Sequence, residues 1–284
     1  MLNVLFTGAQ GFIGRNILPL LEGKYNFFTP SRFELDLLDE KSVREYVELH
    51  KIDVIVHSAN PNPYKEAQFD KNETFLKDSL RMFFSIHSCK DLVKKVIFFG
   101  SGAMYDKSRD IVDITESEFG SSIPKEDYGF AKYTMGFFAR DNVFNLVLFG
   151  CYGPSDDKSK FITHCIRCVL RNEKITIRQN CLFDYLHVYD LAKVLDWVIN
   201  NDKLIYNTLN VVSGVKISLL DIAVKVKKLM QSNMPIVILQ EGMNKEYTAS
   251  NKRLRSMFND EFISIDDGIA MQIKWEIQNF MGEE

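Results

Sequence analysis

Three side chains with complementary acid–base chemistry, Ser101, Tyr128 and Lys132, follow a glycine-punctuated opening in this 284-residue chain. Tyr128 and Lys132 are four positions apart, so on a helix they share one face. A free phenol has a pKa of about 10, too high for easy proton exchange near neutrality. A neighbouring ammonium favours the phenolate and lowers that value. Tyr128 could then protonate a carbonyl oxygen as hydride arrives at its carbon, or run the reverse. Ser101 ends the run Phe98-Phe99-Gly100 and can hydrogen-bond the same oxygen. Lys132 can also hold ribose hydroxyls. Each signal alone is weak, since a Tyr and a Lys at helical spacing are commonplace. Their order after a glycine turn carries the reading.

Hydride chemistry needs a dinucleotide, and the N-terminus offers a cradle for one. Val4-Leu5-Phe6-Thr7 runs into Gly8-x-x-Gly11-x-x-Gly14, followed by a helical pattern. Glycine permits the tight turn and lets a pyrophosphate reach the helix N-terminus. Gln10, Phe12 and Ile13 complete that turn. Beyond the second apolar run, Phe28-Thr29-Pro30 gives way to Ser31-Arg32. A guanidinium pairs bidentately with phosphate and a serine hydroxyl adds a bond, which favours NADP (as NADPH) over NAD. Glu34 is the competing acidic residue, and a surface arginine after a turn is the competing account of Arg32. Asp36, followed by Leu37, offers a carboxylate to the adenine amino group. His57-Ser58-Ala59 ends the third strand, with His57 expected to be packed rather than catalytic.

These residues need a scaffold that delivers strand ends to one crevice. Strands are expected at Asn3–Phe6, Tyr25–Thr29, Val54–His57, Val96–Phe99 and Leu146–Phe149, with helices near Ile13–Leu21, Glu40–His50, Phe75–Ser88 and Gly129–Arg140. That alternation implies an α/β fold, a Rossmann-like doubly wound parallel sheet covered on both faces. After Gly153-Pro154 the texture changes: helical segments near Phe161–Leu170, Leu191–Ile199, Ile217–Met230 and Asp266–Phe280 are interspersed with short strands at Lys174–Arg178, Tyr206–Val211 and Ile236–Leu239. The expected division is 1–155 with 185–212 for the dinucleotide, and 156–184 with 213–284 as a smaller, discontinuous C-terminal substrate domain.

Composition narrows the partners. A net charge of −3 gives no electrostatic case for nucleic acid or an anionic membrane, and no apolar run reaches membrane-spanning length. Five scattered cysteines suit reduced thiols in a cytoplasmic protein better than a disulfide framework. Cys165-x-x-Cys168, beside His164, has metal or redox spacing, but it lies within a helical pattern and no second such pair follows, so no metal site is expected.

The chain resembles the extended short-chain dehydrogenase/reductases that act on nucleotide sugars, the NAD-dependent epimerase/dehydratase group. The matching pieces are Thr7-Gly8-x-x-Gly11-x-x-Gly14, Ser101-x-x-x-Tyr105, Tyr128-x-x-x-Lys132, Tyr152-Gly153-Pro154 and Asp184-Tyr185-Leu186-His187-Val188-x-Asp190-Leu191. Around Arg32 it is most similar to NADP-dependent GDP-fucose synthases. The resemblance implies a nucleotide-sugar substrate, cofactor contacts that extend to Phe149 and Cys151, and a homodimer formed through the Phe75–Ser88 and Gly129–Arg140 helices. Departures narrow the reaction. Gly102-Ala103 stands where family dehydratases carry an acidic pair. GDP-fucose synthases use a cysteine at Ala103 and a histidine near Phe161 to epimerise beside the ketone, although His164 lies close by.

What remains is 4-keto reduction, with an NAD-retaining UDP-sugar 4-epimerase as the alternative and a non-catalytic NADP-binding regulator as the remote one. Substrate contacts are expected from Ser101, Gly102, Ala103, Tyr152, Phe161 and Tyr185. Val147, Gly150 and Phe183 replace the usual polar contacts, so Arg178 is a candidate for the diphosphate, with Lys245 and Arg253 as further candidates.

Overall fold

The computed structural model describes residues 1–61 and 74–280. Six apolar strands form its main sheet: β1 (Asn3–Thr7), β2 (Asn26–Phe28), β3 (Val54–His57), β4 (Lys95–Ser101), β6 (Val143–Leu148) and β10 (Thr208–Val211). They lie in the order β2-β1-β3-β4-β6-β10, every pair parallel. Side chains alternate across a strand. Thus Val4, Phe6, Val54, Val56, Ile97 and Phe99 pack beneath α1 (Phe12–Leu20) and α6 (Val188–Asn200). Leu5, Ile55, Val96 and Phe98 face α2 (Glu40–Leu49), α3 (Phe75–His87) and α4 (Asp127–Gly136). Burial on both faces explains why the strands read as continuous apolar runs. This is the Rossmann-like doubly wound sheet expected from the sequence. β2 and β3 flank β1 on opposite sides, so the order reverses there and a crevice opens at the strands' carboxyl ends.

Lys95 shows how the layers are tied. Its ammonium donates to the carbonyls of Val198, Ile199 and Asn201, each at 2.9 Å. A cation at that position satisfies the open C-terminal carbonyls of α6 and the negative end of its dipole.

The remaining elements build a smaller layer. β5 (Ile111–Ile114), β7 (Gly150–Tyr152), β9 (Leu182–His187), β11 (Lys216–Ser218) and β13 (Tyr247–Ala249) form one sheet, in the order β11-β9-β13-β5 with β7 also on β9. β8 (Ile175–Asn180) pairs in parallel with β12 (Ile236–Met243). α5 (Phe161–Leu170), α7 (Leu219–Leu229) and α9 (Ile265–Phe280) enclose a separate apolar core, and α8 (Lys252–Arg255) packs near β10. Two strands tie the expected segments together. β5 lies within the first segment yet pairs with β13, and β9 runs unbroken through 184–185. Both strands are specified by distant partners, which local periodicity does not report.

Candidate active site

β4 delivers Ser101 to the crevice, and the chain then tightens into a single turn over Gly102–Tyr105. Ser101 caps that turn, its Oγ accepting the Ala103 N–H at 3.2 Å. α4 comes up against the same turn at Gly129, where a β-carbon would lie 2.9 Å from the Ala103 carbonyl oxygen and 2.9 Å from Pro124 Cβ. This close approach brings Tyr128 beside the Ser101 side chain. One turn later, Lys132 Nζ donates to the Phe99 carbonyl at 2.9 Å and lies 6.0 Å from the centre of the Tyr128 ring. The three residues are therefore brought together from two elements.

Their electrostatics differ from the sequence expectation. Burial holds the Tyr128 phenol above its ordinary value, and the Ser101 hydrogen bond opposes that rise. Burial also lowers Lys132 to about 8. The ammonium is directed at a backbone carbonyl, so desolvation rather than Lys132 sets the phenol's acidity in this structure.

The glycine turn forms a cradle that no larger residue could share. Gly8 has φ +72°, and a β-carbon there would sit 2.7 Å from Ala59 N; one on Gly14 would sit 2.4 Å from the Ala9 carbonyl oxygen. Gly11 begins α1 with no side-chain cap and no acid in the first turn, so Phe12, Ile13 and Gly14 N–H groups point at a place suited to an anion. Gln10, in the turn before α1, is exposed. Thr7 Oγ1 lies 2.9 Å from His57 Nδ1 and accepts the Ala59 N–H at 3.3 Å, binding the ends of β1 and β3 together beside Ser58. Burial, with a lesser push from the Lys132 charge, drops His57 to about 3. It is a neutral, packed residue.

Past β2, Ser31 and Arg32 are exposed, while the Glu34 carboxylate folds back to accept the Ser31 N–H at 2.7 Å. Asp36 accepts the Leu38 N–H at 3.0 Å, and Leu37 is half-buried. The Phe149 ring occupies the space over Gly102, 2.5 Å from where a β-carbon would stand. Cys151 faces Leu186 across β7 and β9, its thiol pushed up by burial. An open helix N-terminus and a glycine cradle suit the pyrophosphate of a dinucleotide.

The substrate candidates are less gathered. Ala103 is buried beside Ser101. Tyr152 is sealed in the second core, its ring against His187 and Tyr185 and its oxygen 2.1 Å from a β-carbon built on Gly268. Its surroundings are those of a packing residue, not of a cleft wall. Tyr185 stacks on Phe183 at 5.7 Å, and Phe161 opens α5, half-buried. Arg178 is exposed on β8. Arg253 is committed elsewhere: its guanidinium meets Glu116 at 3.6 Å and stacks over Tyr206 at 4.5 Å. Lys245 donates to the Ser108 carbonyl, in the loop after the Ser101 turn. Tyr105 turns its hydroxyl away to Asn210 Oδ1 at 3.0 Å, linking the turn to β10. Cys168 contacts His164 within α5 at 3.5 Å, and burial raises both Cys165 and Cys168.

One residue escaped the sequence reading. Tyr247, on β13, interacts with Ser101, Ala103 and Tyr128. No local motif marks it; only the long-range pairing of β13 with β5 and β9 brings it in.

Comparison with known proteins agrees with this geometry. GDP-L-colitose synthase of Yersinia pseudotuberculosis is 28% identical, over 75% of this chain and 77% of that protein. GDP-L-fucose synthase of Dictyostelium discoideum is 25% identical, over 98% of this chain and 96% of its own. Among solved structures, the GDP-mannoheptose C4 reductase MlghC of Campylobacter jejuni, with NADP bound, superposes with a TM-score of 0.84 at 20% identity, covering 97% of this chain and 98% of that one. The sequence profile of the NAD dependent epimerase/dehydratase family matches residues 4–212, and the chain belongs to that family.

Proposed function

We propose that the protein is an NADPH-dependent reductase of the 4-keto group of a nucleotide-linked sugar, of the 6-deoxyhexose type. The observation that carries this reading is the placement of Tyr128 beside Ser101 at the end of β4, with Lys132 one helical turn behind. The bound cofactor would supply hydride to the carbonyl carbon. Tyr128 holds the proton that the carbonyl oxygen must gain, Ser101 orients that oxygen, and Lys132 keeps positive charge beside the phenol as it ionises. Gly8, Gln10, Gly11, Phe12, Ile13 and Gly14 would hold the pyrophosphate, and Ser31 and Arg32 the 2′-phosphate.

Reduction is favoured over the other family reactions because Gly102 and Ala103 carry no acid–base group and Phe161 none either. Proton exchange at a carbon beside the ketone needs such groups. The colitose and fucose synthase relatives support a GDP-linked sugar.

The test is NADPH oxidation with GDP-, dTDP-, CDP- and UDP-linked 4-keto sugars. Turnover with one of them, abolished in Tyr128→Phe, supports the reading; none above background with any defeats it. Protein that retains NAD and interconverts UDP-sugars without added cofactor would point to a 4-epimerase instead. Arg32→Ala should weaken NADPH about tenfold or more while leaving NADH unchanged, the loss of one charge-assisted phosphate contact. Equal effects on both cofactors would remove the NADP assignment.

A further inference from the structure

An acidic residue past β2 ordinarily binds the ribose hydroxyls of NAD and repels a 2′-phosphate, so the partner that Glu34 takes here matters. Its carboxylate turns back along the chain and accepts the Ser31 N–H at 2.7 Å. The Glu34 and Leu35 N–H groups both donate to the Ser31 carbonyl, each at 3.0 Å. Three bonds thus close the chain on Ser31. The arrangement resembles a capping box, in which an acid three positions on satisfies the N–H that opens a turn. The Ser31 N–H in return holds the Glu34 carboxyl below its ordinary value.

Side-chain packing does little to hold the same turn. Phe33, at its crown, is 95% exposed, and Ser31, Arg32 and Glu34 are exposed as well. At Leu35, 4% exposed, the chain re-enters the core beside Leu5, Val43 and Ile55. Further on, the Asp36 carboxylate accepts the Leu38 N–H at 3.0 Å, and Arg81 of α3 donates to the Leu38 carbonyl at 3.0 Å. The segment is pinned from Leu35 onward, and its shape before that pin depends on the Glu34 bond. The bond also occupies the acid. A carboxylate free to swing would stand two residues from Arg32, ready to pair with the guanidinium or to repel a phosphate. Bonded to the backbone, it leaves the guanidinium exposed.

We propose that Glu34 is a positioning residue for the cofactor's 2′-phosphate, closing the Ser31–Leu35 turn in the form that presents Ser31 and Arg32 together, and so selects NADPH over NADH. It touches the backbone and not the cofactor. Ordering an exposed loop around a ligand costs conformational freedom, and a turn that is already closed avoids that cost. The proposal rests on the NADPH reading of Arg32, and the test separates the two.

The experiment is the binding of NADPH and NADH, followed by nicotinamide fluorescence with no sugar present. Glu34→Ala removes the acceptor and should weaken NADPH roughly threefold to tenfold, the worth of one hydrogen bond, with NADH held within about twofold. Glu34→Gln keeps an acceptor oxygen and drops the negative charge, so it should bind NADPH at least as tightly as wild type. In the Arg32→Ala background, Glu34→Ala should cost NADPH less than about twofold further, because its effect runs through the guanidinium. NADPH binding unchanged or tightened in Glu34→Ala would overturn the proposal, since the acid would then be idle or merely repulsive. Equal losses for both cofactors, a loss confined to NADH, or a Glu34→Gln protein as weak as Glu34→Ala would overturn it too. Wild-type protein that binds NADH as tightly as NADPH would strike the NADPH reading itself. A selective wild type whose preference survives Glu34→Ala would strike this proposal alone.

Discussion

Gly129 lies directly against Ala103: a β-carbon on the glycine would stand 2.9 Å from the alanine's carbonyl oxygen. That contact sets how near Tyr128 comes to Ser101. Alanine at 129 would improve helix propensity by up to about 1 kcal/mol, yet forcing a methyl against rigid backbone costs roughly 1–3 kcal/mol. The net loss is about 0–2 kcal/mol, and the larger effect is on position. Gly129→Ala should leave the melting point within a few degrees and lower kcat about tenfold or more, since small displacements of a proton donor are costly. Wild-type kcat in a folded Gly129→Ala protein would show that the spacing of turn and helix is not critical.

Burial lowers Lys132 to about 8. Its charged form is the one that supports proton donation by Tyr128, so reductase kcat/KM should fall as pH rises through that value. Lys132→Arg keeps its charge to far higher pH, so its residual activity should lose the alkaline fall. A fall at the same pH in both proteins would assign it to another group.

Asp156 sits buried in the loop after β7, accepting the Asp157 N–H at 2.8 Å, and burial raises it from 3.8 to about 7. The folded state therefore binds more protons than the unfolded chain between those two values, and stability falls as pH rises through that window. A shift of about three units corresponds to at most ~4 kcal/mol. Asp156→Asn should melt several degrees higher than wild type at pH 8, with the gap closing toward pH 4. Thermal scans across that range check it; a constant difference would mean the carboxylate is accommodated without penalty.

α3 and α4 pack side by side and leave Phe84, Phe130 and Phe137 exposed at 36%, 37% and 55%. Exposed aromatic side chains are the usual material of an interface, and we propose that α3 and α4 form the homodimer. Sedimentation should give twice the chain mass, and Phe84→Glu with Phe137→Glu should give one. A wild-type monomer at micromolar concentrations would refute it.

The parts of the site that were legible in the sequence are those made by neighbours in the chain. The Gly8–Gly14 turn is read from a strand and helix on either side of it, Ser101 from its place at a strand end, and Tyr128 with Lys132 from helical spacing. Phe161–Leu170 was read to the residue because its buried positions recur at helical period. The rest depends on distant pairing. A three-residue strand such as β13 carries too little alternation to register, and Tyr247 gains its meaning only once Phe183 and Ile111 flank it. Arg253 was read as free to reach a phosphate, yet Glu116 and Tyr206 hold it. Tyr152 sits in a motif but is enclosed by α9, an element over a hundred residues away in the chain.

The outermost strand of the main sheet is contributed last. β10 covers β6, whose six residues are all buried, only after the chain has travelled through residues 149–207. A nascent or truncated polypeptide that stops short of Thr208 would bare an apolar edge ready to pair with its own kind. Synthesis in the cell must therefore pass through an adhesive half-built form, and a chain cut before β10 should precipitate rather than fold.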